Sequence, residues 1–538
     1  MEAEAPYIAI RHRKQAERQS RIPKQWLLTS LPSTSTLDVR SIPRTCGILT
    51  SQEIDITENH DATSLAQAIQ SRALTAEAVT VAFCKRAAIA QQVCNCLTEI
   101  FFLDAIKRAK FLDAEYSRTG KILGPLHGVP VSLKDTFKVK GYDASIGIAS
   151  LAENPATENS LLVDILLQQG AVIYCKTGIP QTLMALDSDN NLFGRVLNPR
   201  NKHVTAGGSS GGEGALIGMR GSVLGVGTDV GGSIRIPAMC NGLYGIKPSA
   251  QRVPFVGQEG GSRNGESSIG LPPSAGPIAT SVRDCELLLK AISNSRPWEV
   301  DPNVAYGLWK EQGGLQEKPL IGVIRKDGVV DPLPPVSKVL DETVESLRRS
   351  GIEVIEIDAP VFKKCQSLTN KFFGIDGGNH MFDLLEKTGE PLIHWLSTRL
   401  RRGNKMPLEK LVDFHAQKTE IETEMLKIWR DPQSGRRVDA IILPVAPHPV
   451  APIDKWNGVG YTSSFVLLDY PAGTLPVRDF KPSDIEGELS SEKPLGSWDM
   501  ANRELCEFIG SHLCLNLMYQ GLHLTGESIS IQHFPFKL

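Results

Sequence analysis

Long apolar runs are missing from this 538-residue sequence. No segment reaches the roughly 18 uncharged apolar residues that a membrane-spanning helix needs, so we predict no membrane span. A charge excess is missing too, because 58 Lys and Arg balance 60 Asp and Glu for a formal net charge of -2. A near-neutral chain lacks the electrostatic footprint of a nucleic-acid-binding protein. We therefore expect no nucleic-acid partner.

Closely spaced cysteines are nearly absent. The ten cysteines are scattered, and the single close pair, Cys94 and Cys96, has no second pair to complete a zinc site. Scattered cysteines at low density are typical of reduced, buried thiols in an intracellular protein. Residues 1–6 are acidic and contain no apolar signal-peptide stretch. We expect a cytoplasmic protein without a metal or another cofactor.

Residues 1–60 are predicted to form an arm, in which a polar helix precedes a loop with proline and serine. The arm carries the only local excess of positive charge, which we interpret as a solvated helix face. That excess consists of His12, Arg13, Lys14, Arg18, Arg21 and Lys24.

The remainder of the chain alternates strands with helices, which predicts an α/β fold with helices on both faces of a sheet. Residues 61–116 have apolar residues at helical spacing, and Thr75 is a candidate N-cap. Two stretches rich in Gly and Ser, 257–271 and 481–496, are interpreted as surface loops. The predicted strands are 129–133, 171–174, 320–324, 352–357 and 438–443, and the predicted helices include 160–169 and 335–350.

A glycine-rich centre carries the strongest chemical signal. Residues 207–215 read GGSSGGEGA, residues 225–237 read GVGTDVGGSIRIP, and thirteen glycines lie between 207 and 245. Phosphate binding is disfavoured because no Gly-Lys-Ser/Thr follows. The alternative is a nest of backbone N–H groups that stabilises an oxyanion, placed directly before a nucleophilic Ser233.

A second interpretation concerns Ser210. Residues 208–212 also fit the G-x-S-x-G elbow, which would make Ser210 the nucleophile of an α/β-hydrolase. That hypothesis requires an Asp and a His later in the chain. His448 and His523 are available, but neither lies in a supporting motif.

Three motifs together resemble the amidase signature family, in particular its fungal acetamidase type, and fatty acid amide hydrolase more distantly. They are 124–135 (GPLHGVPVSLKD) and the two glycine-rich segments, and Lys134, Ser209 and Ser233 are separated by 75 and 24 residues as in the family. The resemblance runs from about residue 64 to about 310 and is weaker beyond. It implies a central twisted mixed β-sheet covered by helices and a single domain over 61–538 with its core at 124–250.

The resemblance also implies an activity, the hydrolysis of a small-molecule carboxylic amide. Lys134 would be the base, Ser209 the bridging residue and Ser233 the nucleophile that forms an acyl-enzyme. The residues that would bind substrate or the oxyanion are Leu183, Ser209, Val230, Gly231, Gly232 and Ser233. Asp229 and Arg235 are interpreted as a buried pair that holds the Ser233 loop.

A lysine acts as a base only when it is neutral, so its pKa must fall from about 10.4 toward 7–8. We expect burial and nearby carboxylates to lower the pKa of Lys134, which follows an apolar strand. Ser210, rather than Ser209, is expected to cap the following helix.

The C-terminal region departs from the family pattern. Residues 510–520 occupy the place of a closing strand without its usual Pro and Gln, and 528–538 is too short for the usual final helix. This departure leaves a degenerate protein without turnover as an alternative. A specialised amidase of a fungal metabolite pathway and a homodimer are also left open. The stretch 363–435 is expected to shape the acyl pocket through Phe372, Phe373, Asp376, His380, Met381 and Trp395.

Overall fold

The computed structural model describes residues 5–261, 263, 269–309, 319–456, 458–489, 491–512 and 519–525. Its strands are β1 (Leu97–Ile100), β2 (Pro130–Lys134), β3 (Val172–Thr177), β4 (Leu224–Asp229), β5 (Tyr244–Lys247), β6 (Ser274–Ala279), β7 (Leu320–Val323), β8 (Glu353–Glu356), β9 (Ala440–Pro444), β10 (Ala472–Asp479) and β11 (Tyr519–Thr525). Its α-helices are α1 (Pro6–Ser20), α2 (Ile42–Thr45), α3 (Ser51–Glu58), α4 (Ala62–Gln70), α5 (Ala76–Cys94), α6 (Phe102–Thr119), α7 (Leu161–Gln168), α8 (Gly211–Gly218), α9 (Arg235–Asn241), α10 (Val282–Asn294), α11 (Pro334–Arg349), α12 (Val361–Phe373), α13 (Asn379–Glu386), α14 (His394–Ser397), α15 (Leu408–Ile428), α16 (Gly460–Leu467) and α17 (Ser497–His512).

All these strands pair in one mixed sheet of the order β1-β3-β2-β4-β6-β5-β10-β11-β9-β7-β8. Parallel pairs lie toward its two ends, at β3-β2-β4 and β9-β7-β8, and antiparallel pairs join them through the centre. The predicted α/β fold is confirmed. The prediction that residues 61–116 are helical is wrong at β1. A buried run of only four residues is too short for its periodicity to distinguish a strand from a helix.

Side chains along β2 point alternately to the two faces of the sheet, one facing the apolar core and the other facing the candidate site. Val131 and Leu133 pack into an apolar core that α4, α7 and α10 complete. Ser132 and Lys134 point to the opposite face, because successive strand residues alternate. There α8 contacts β2, β3 and β4. The lysine therefore faces α8 rather than the apolar core.

The N-terminal arm is fastened to the domain by buried charge. Lys14 is only 3% exposed, and its Nζ lies 2.7 Å from Glu99 Oε1 and 2.8 Å from Asp143 Oδ2. Arg18 donates to the Leu97 carbonyl at 2.7 Å. The interpretation of a solvated basic face is wrong for Lys14, because its carboxylate partners come from distant segments that a helix pattern does not reveal. His12, Arg13 and Lys24 are exposed as expected.

The closing strand lies later in the chain than predicted. Residues 510–512 end α17, and β11 begins at Tyr519. β11 pairs with β10 on one side and β9 on the other, so it lies inside the sheet and not at an edge. The tail 528–538 is outside the described residues.

The eight cysteines whose side chains the structure describes are free thiols, and seven of them are buried, as the sequence predicts. Within the described ranges, no helix combines the length and the apolarity that crossing a bilayer would require.

Candidate active site

Lys134 ends β2 and is completely buried. Its Nζ lies 2.7 Å from Ser209 Oγ, 2.7 Å from Thr228 Oγ1 and 3.3 Å from the Thr228 carbonyl oxygen. Thr228 belongs to β4, the parallel neighbour of β2. Two adjacent strands and the segment before α8 therefore surround the amine with oxygen atoms.

Burial lowers the pKa of Lys134 from 10.5 to about 7. The negative charge of Asp229, and that of Glu213 whenever it is ionised, act in the opposite direction and raise that pKa. The expectation that nearby carboxylates would lower it is wrong, because an anion stabilises an ammonium ion. Desolvation alone makes this lysine a base near neutral pH.

Ser209 and Ser210 directly precede α8 and have different surroundings. The peptide bond from Gly208 to Ser209 is cis, and Ser209 Oγ lies 2.7 Å from Lys134 Nζ. Ser210 is fully buried, and its Oγ lies 3.4 Å from both the nitrogen and the carbonyl oxygen of Thr228. Ser210 occupies the N-cap position without a side-chain capping bond, so the predicted capping role is wrong. Complete burial also disfavours an exposed nucleophilic elbow at Ser210.

Ser233 lies in the turn between β4 and α9, and a buried ion pair holds this turn. Asp229 Oδ2 lies 2.9 Å from Arg235 Nε, and Oδ1 lies 2.9 Å from Nη2. The same carboxylate accepts from the N–H groups of Gly232 at 2.8 Å and Ile234 at 3.1 Å. Burial opposes ionisation of Asp229, but Arg235 and these donors hold its pKa well below the usual range. The predicted buried pair is present.

The four candidate oxyanion residues differ in whether their backbone N–H groups already donate a hydrogen bond. The N–H of Gly232 donates to the carboxylate of Asp229. Those of Val230, Gly231 and Ser233 donate to no residue of the described part. Gly232 instead provides space, since its φ is +132° and a Cβ would lie 2.6 Å from Thr462 Oγ1. Three of the four N–H groups therefore have no acceptor among the described residues.

A cavity of about 600 Å³ opens beside these groups. Ser209 and Ser233 both line it, and so do Thr228, Val230 and Leu183. No hydrogen bond between described residues joins the hydroxyls of the two serines. The structure thus brings Leu183, Ser209, Val230 and Ser233 to one cavity, with Lys134 behind Ser209. The predicted residues Gly231 and Gly232 are not among its lining residues. In the described ranges, no group of three or more His, Cys, Asp or Glu side chains is placed to hold a metal ion.

The apolar part of the cavity comes partly from the predicted stretch 363–435. Phe372, Phe373, Asp376 and Met381 line the cavity, whereas His380 and Trp395 are not among its lining residues. The sequence missed a second contributor, because the interpretation of 257–271 as a surface loop overlooked its role. Residues 257–261, 263 and 270–273 also line the cavity. A long glycine-rich loop that follows a candidate site was the available signal.

Comparisons with known proteins agree with this geometry. The sequence profile of the family described as Amidase matches residues 78–502. An acetamidase of Emericella nidulans is 37% identical over 505 residues, which cover 91% of this chain and 90% of the relative. An acetamidase of Aspergillus oryzae is 36% identical, with 91% and 90% covered. The solved structure of a fatty acid amide hydrolase superposes with a TM-score of 0.87 at 29% identity, over 96% of this chain and 91% of that chain. The chain therefore belongs to the amidase signature family, and it is an amidase.

Proposed function

We propose that this amidase hydrolyses small-molecule carboxamides through an acyl-enzyme on Ser233, with Ser209 as a proton relay and Lys134 as the base. The contact of 2.7 Å between Lys134 Nζ and Ser209 Oγ carries the proposal. It joins a buried amine of lowered pKa to a hydroxyl that lines the substrate cavity.

The surroundings of Lys134 suit a neutral amine, which has two N–H groups and one lone pair. The carbonyl oxygen of Thr228 can only accept a hydrogen bond, and its hydroxyl can accept the second. The lone pair is then left to accept the proton of the Ser209 hydroxyl. Thr228 thereby orients the base toward the relay.

In the proposed reaction, Ser233 Oγ attacks the amide carbonyl as its proton passes to Ser209 and the Ser209 proton passes to Lys134. The negative charge on the carbonyl oxygen is stabilised by the free N–H groups near Val230. Return of a proton through Ser209 to the nitrogen releases ammonia or an amine and leaves an ester on Ser233. Water then repeats the sequence and releases the carboxylic acid. Because the two serine hydroxyls are not hydrogen-bonded to each other, we expect bound substrate to complete that contact.

The cavity supports substrates larger than acetamide. Phe372, Phe373, Ile375 and Met381 contribute apolar surface to a space of about 600 Å³. Acetamide would leave most of it unfilled, whereas an aryl or medium-length acyl group would bury apolar area against these side chains. We propose that kcat/KM rises with acyl size across a panel of primary amides. Ammonia release measures the rate for each amide.

A fluorophosphonate probe tests the nucleophile directly. The wild type should be labelled at Ser233, and Ser233→Ala should be neither labelled nor active. Ser210→Ala is the matched control, because the neighbouring motif serine should be dispensable for labelling. Loss of labelling in Ser210→Ala with retention in Lys134→Met would replace the proposal with a Ser210 elbow. Absence of labelling in folded wild type would indicate a protein that has lost turnover.

A further inference from the structure

Glu213 is a buried carboxyl group that the proposed reaction does not use. It lies in the first turn of α8 and has no exposed surface. Its Oε2 lies 2.6 Å from Ser132 Oγ, and its Oε1 lies 2.8 Å from Thr177 Oγ1. These partners belong to β2 and β3, so the side chain connects one helix to two strands.

Glu213 contacts the two strands close to Lys134. Ser132 precedes Lys134 by two residues on β2 and shares its face. Thr177 is the residue of β3 that pairs with Lys134. Glu213 therefore holds both strands at the level of the lysine, and its helix begins two residues after Ser209. One side chain thus connects the segments that carry the base and the relay.

Gly225 makes room for this carboxyl group. It pairs with Ser132 across β2 and β4. A Cβ on Gly225 would lie 1.9 Å from Glu213 Oε2 and 2.7 Å from Ser132 Oγ. Since no side chain fits there, the carboxyl group packs directly on the backbone of β4.

The hydrogen-bonding contacts around Glu213 favour a proton on its carboxyl group. Four contacts form a connected set, from Thr177 to Glu213, from Glu213 to Ser132, from Ser132 to Ser222 at 3.0 Å, and from Ser222 to the Leu224 carbonyl at 3.0 Å. Three hydroxyls supply three protons. An ionised Glu213 would leave one contact without a proton, whereas a carboxylic acid supplies the fourth. Each of these four contacts then has a proton in a completely buried site, and the longer contact of 3.4 Å from Thr177 Oγ1 to the Leu133 carbonyl oxygen shares the Thr177 proton.

The charged surroundings agree with this proton count. Burial raises the pKa of Glu213 to about 7, although the hydrogen bonds from Ser132 and Thr177 and the charge of Lys134 each lower it. The other titratable groups near it are Tyr174, Cys175 and Cys96, and burial raises the pKa of each, so they stay neutral. A carboxylate would raise the pKa of Lys134 and oppose its role as a base.

We propose that Glu213 is a positioning residue kept as an uncharged carboxylic acid, which holds Lys134 and Ser209 in place without setting a negative charge beside the base. The kinetic part of this inference rests on the proposed role of Lys134. A buried carboxylic acid that stays protonated to donate a hydrogen bond has precedent in other active sites.

Glutamine provides the matched variant, because its amide reproduces both contacts of a neutral acid. Its Oε1 can accept from Thr177, and its Nε2 can donate to Ser132. We expect Glu213→Ala to lower kcat/KM by about ten- to a hundredfold, and Glu213→Gln to restore most of it. The acid limb of the kcat/KM profile should keep its wild-type position in Glu213→Gln. A limb that moves by about one pH unit or more to lower pH would show that wild-type Glu213 is ionised, and this would overturn the proposal.

Infrared difference spectroscopy measures the proton without catalysis. The spectrum of Ser233→Ala minus that of Ser233→Ala with Glu213→Gln, at neutral pH, should contain the carbonyl stretch of a protonated carboxylic acid. Asp327→Asn is the control for a second buried acid, whose pKa burial raises to about 6, and it should leave that band in place. A carboxylate band alone would refute a neutral Glu213. Because this readout needs no turnover, it separates an error about Glu213 from an error about the role of Lys134.

Discussion

Replacing Lys134 by methionine would remove a buried amine and keep an unbranched side chain. The substitution should abolish amide hydrolysis, because no base would remain beside Ser209. It should also change the stability of the fold in a way that depends on pH. The reason is that the lysine is fully buried and its pKa is lowered from 10.5 to about 7.

The size of this effect follows from the proton balance. Between pH 7 and 10.5 the unfolded chain binds a proton on Lys134 that the folded chain does not bind, so the free energy of unfolding rises with pH in this window. Each pH unit contributes about 1.4 kcal/mol, for a total near 5 kcal/mol. The destabilisation is therefore greatest at and below pH 7 and disappears above pH 10.5. Methionine carries no such penalty, although it leaves Ser209 and Thr228 without a partner at a cost of about 1–3 kcal/mol.

Denaturant unfolding of both proteins at two pH values isolates this contribution. Lys134→Met should gain stability relative to wild type on going from pH 9 to pH 7, by about 2 kcal/mol. Taking the difference between the two proteins cancels the pH-dependent contributions to stability of the titrating groups that they share. Lys121→Met changes an exposed lysine and should show no such difference between the two pH values. An equal stability difference for Lys134→Met at both values would refute the conclusion that burial holds this lysine neutral.

Four further outcomes are expected. Wild-type kcat/KM should rise with pH through about 7 as Lys134 loses its proton, and a flat profile between about pH 6 and 8 would contradict its role as a base. Thr228→Val removes an acceptor 2.7 Å from the amine and should lower kcat about tenfold at unchanged KM, with recovery in Thr228→Ser. Phe373→Ala should raise KM for aryl amides severalfold and spare acetamide, because its ring lines the cavity; equal effects on both would refute a role in acyl binding. Arg235→Met leaves Asp229 buried and unpaired, so it should lower the free energy of unfolding by about 3–5 kcal/mol, and Asp229→Asn in the same chain should recover part of the loss.

Much of the fold could be predicted from local patterns. The strand predicted at 129–133 is β2, and the helix predicted at 335–350 is α11. Thr75 caps α5 as its position indicated, since it accepts from the Ala78 N–H. These features depend on side-chain period and on capping groups, which neighbouring residues determine. The failures at β1 and at the closing strand involve short segments whose pairing comes from distant parts of the chain.

The candidate site shows the same division. The resemblance to the amidase signature motifs identified Lys134, Ser209 and Ser233 as a set, and the glycines around Ser233 indicated an exposed backbone. Their catalytic roles stay predictions, although the first two lie in direct contact. The motif does not show which backbone N–H groups are left without an acceptor. The N–H of Gly232 donates to Asp229 only because the turn folds around that carboxylate.

The sequence by itself determined which chemical groups this protein holds, since residue type and spacing state what can donate, accept or attack. Only the tertiary structure decided the protonation state, and so the charge, of those groups. Desolvation lowers the pKa of Lys134 against the negative charge of Asp229, and a connected set of hydrogen bonds favours a proton on Glu213. Both effects arise from burial among segments far apart in the chain, and no local pattern records how much water the fold removes.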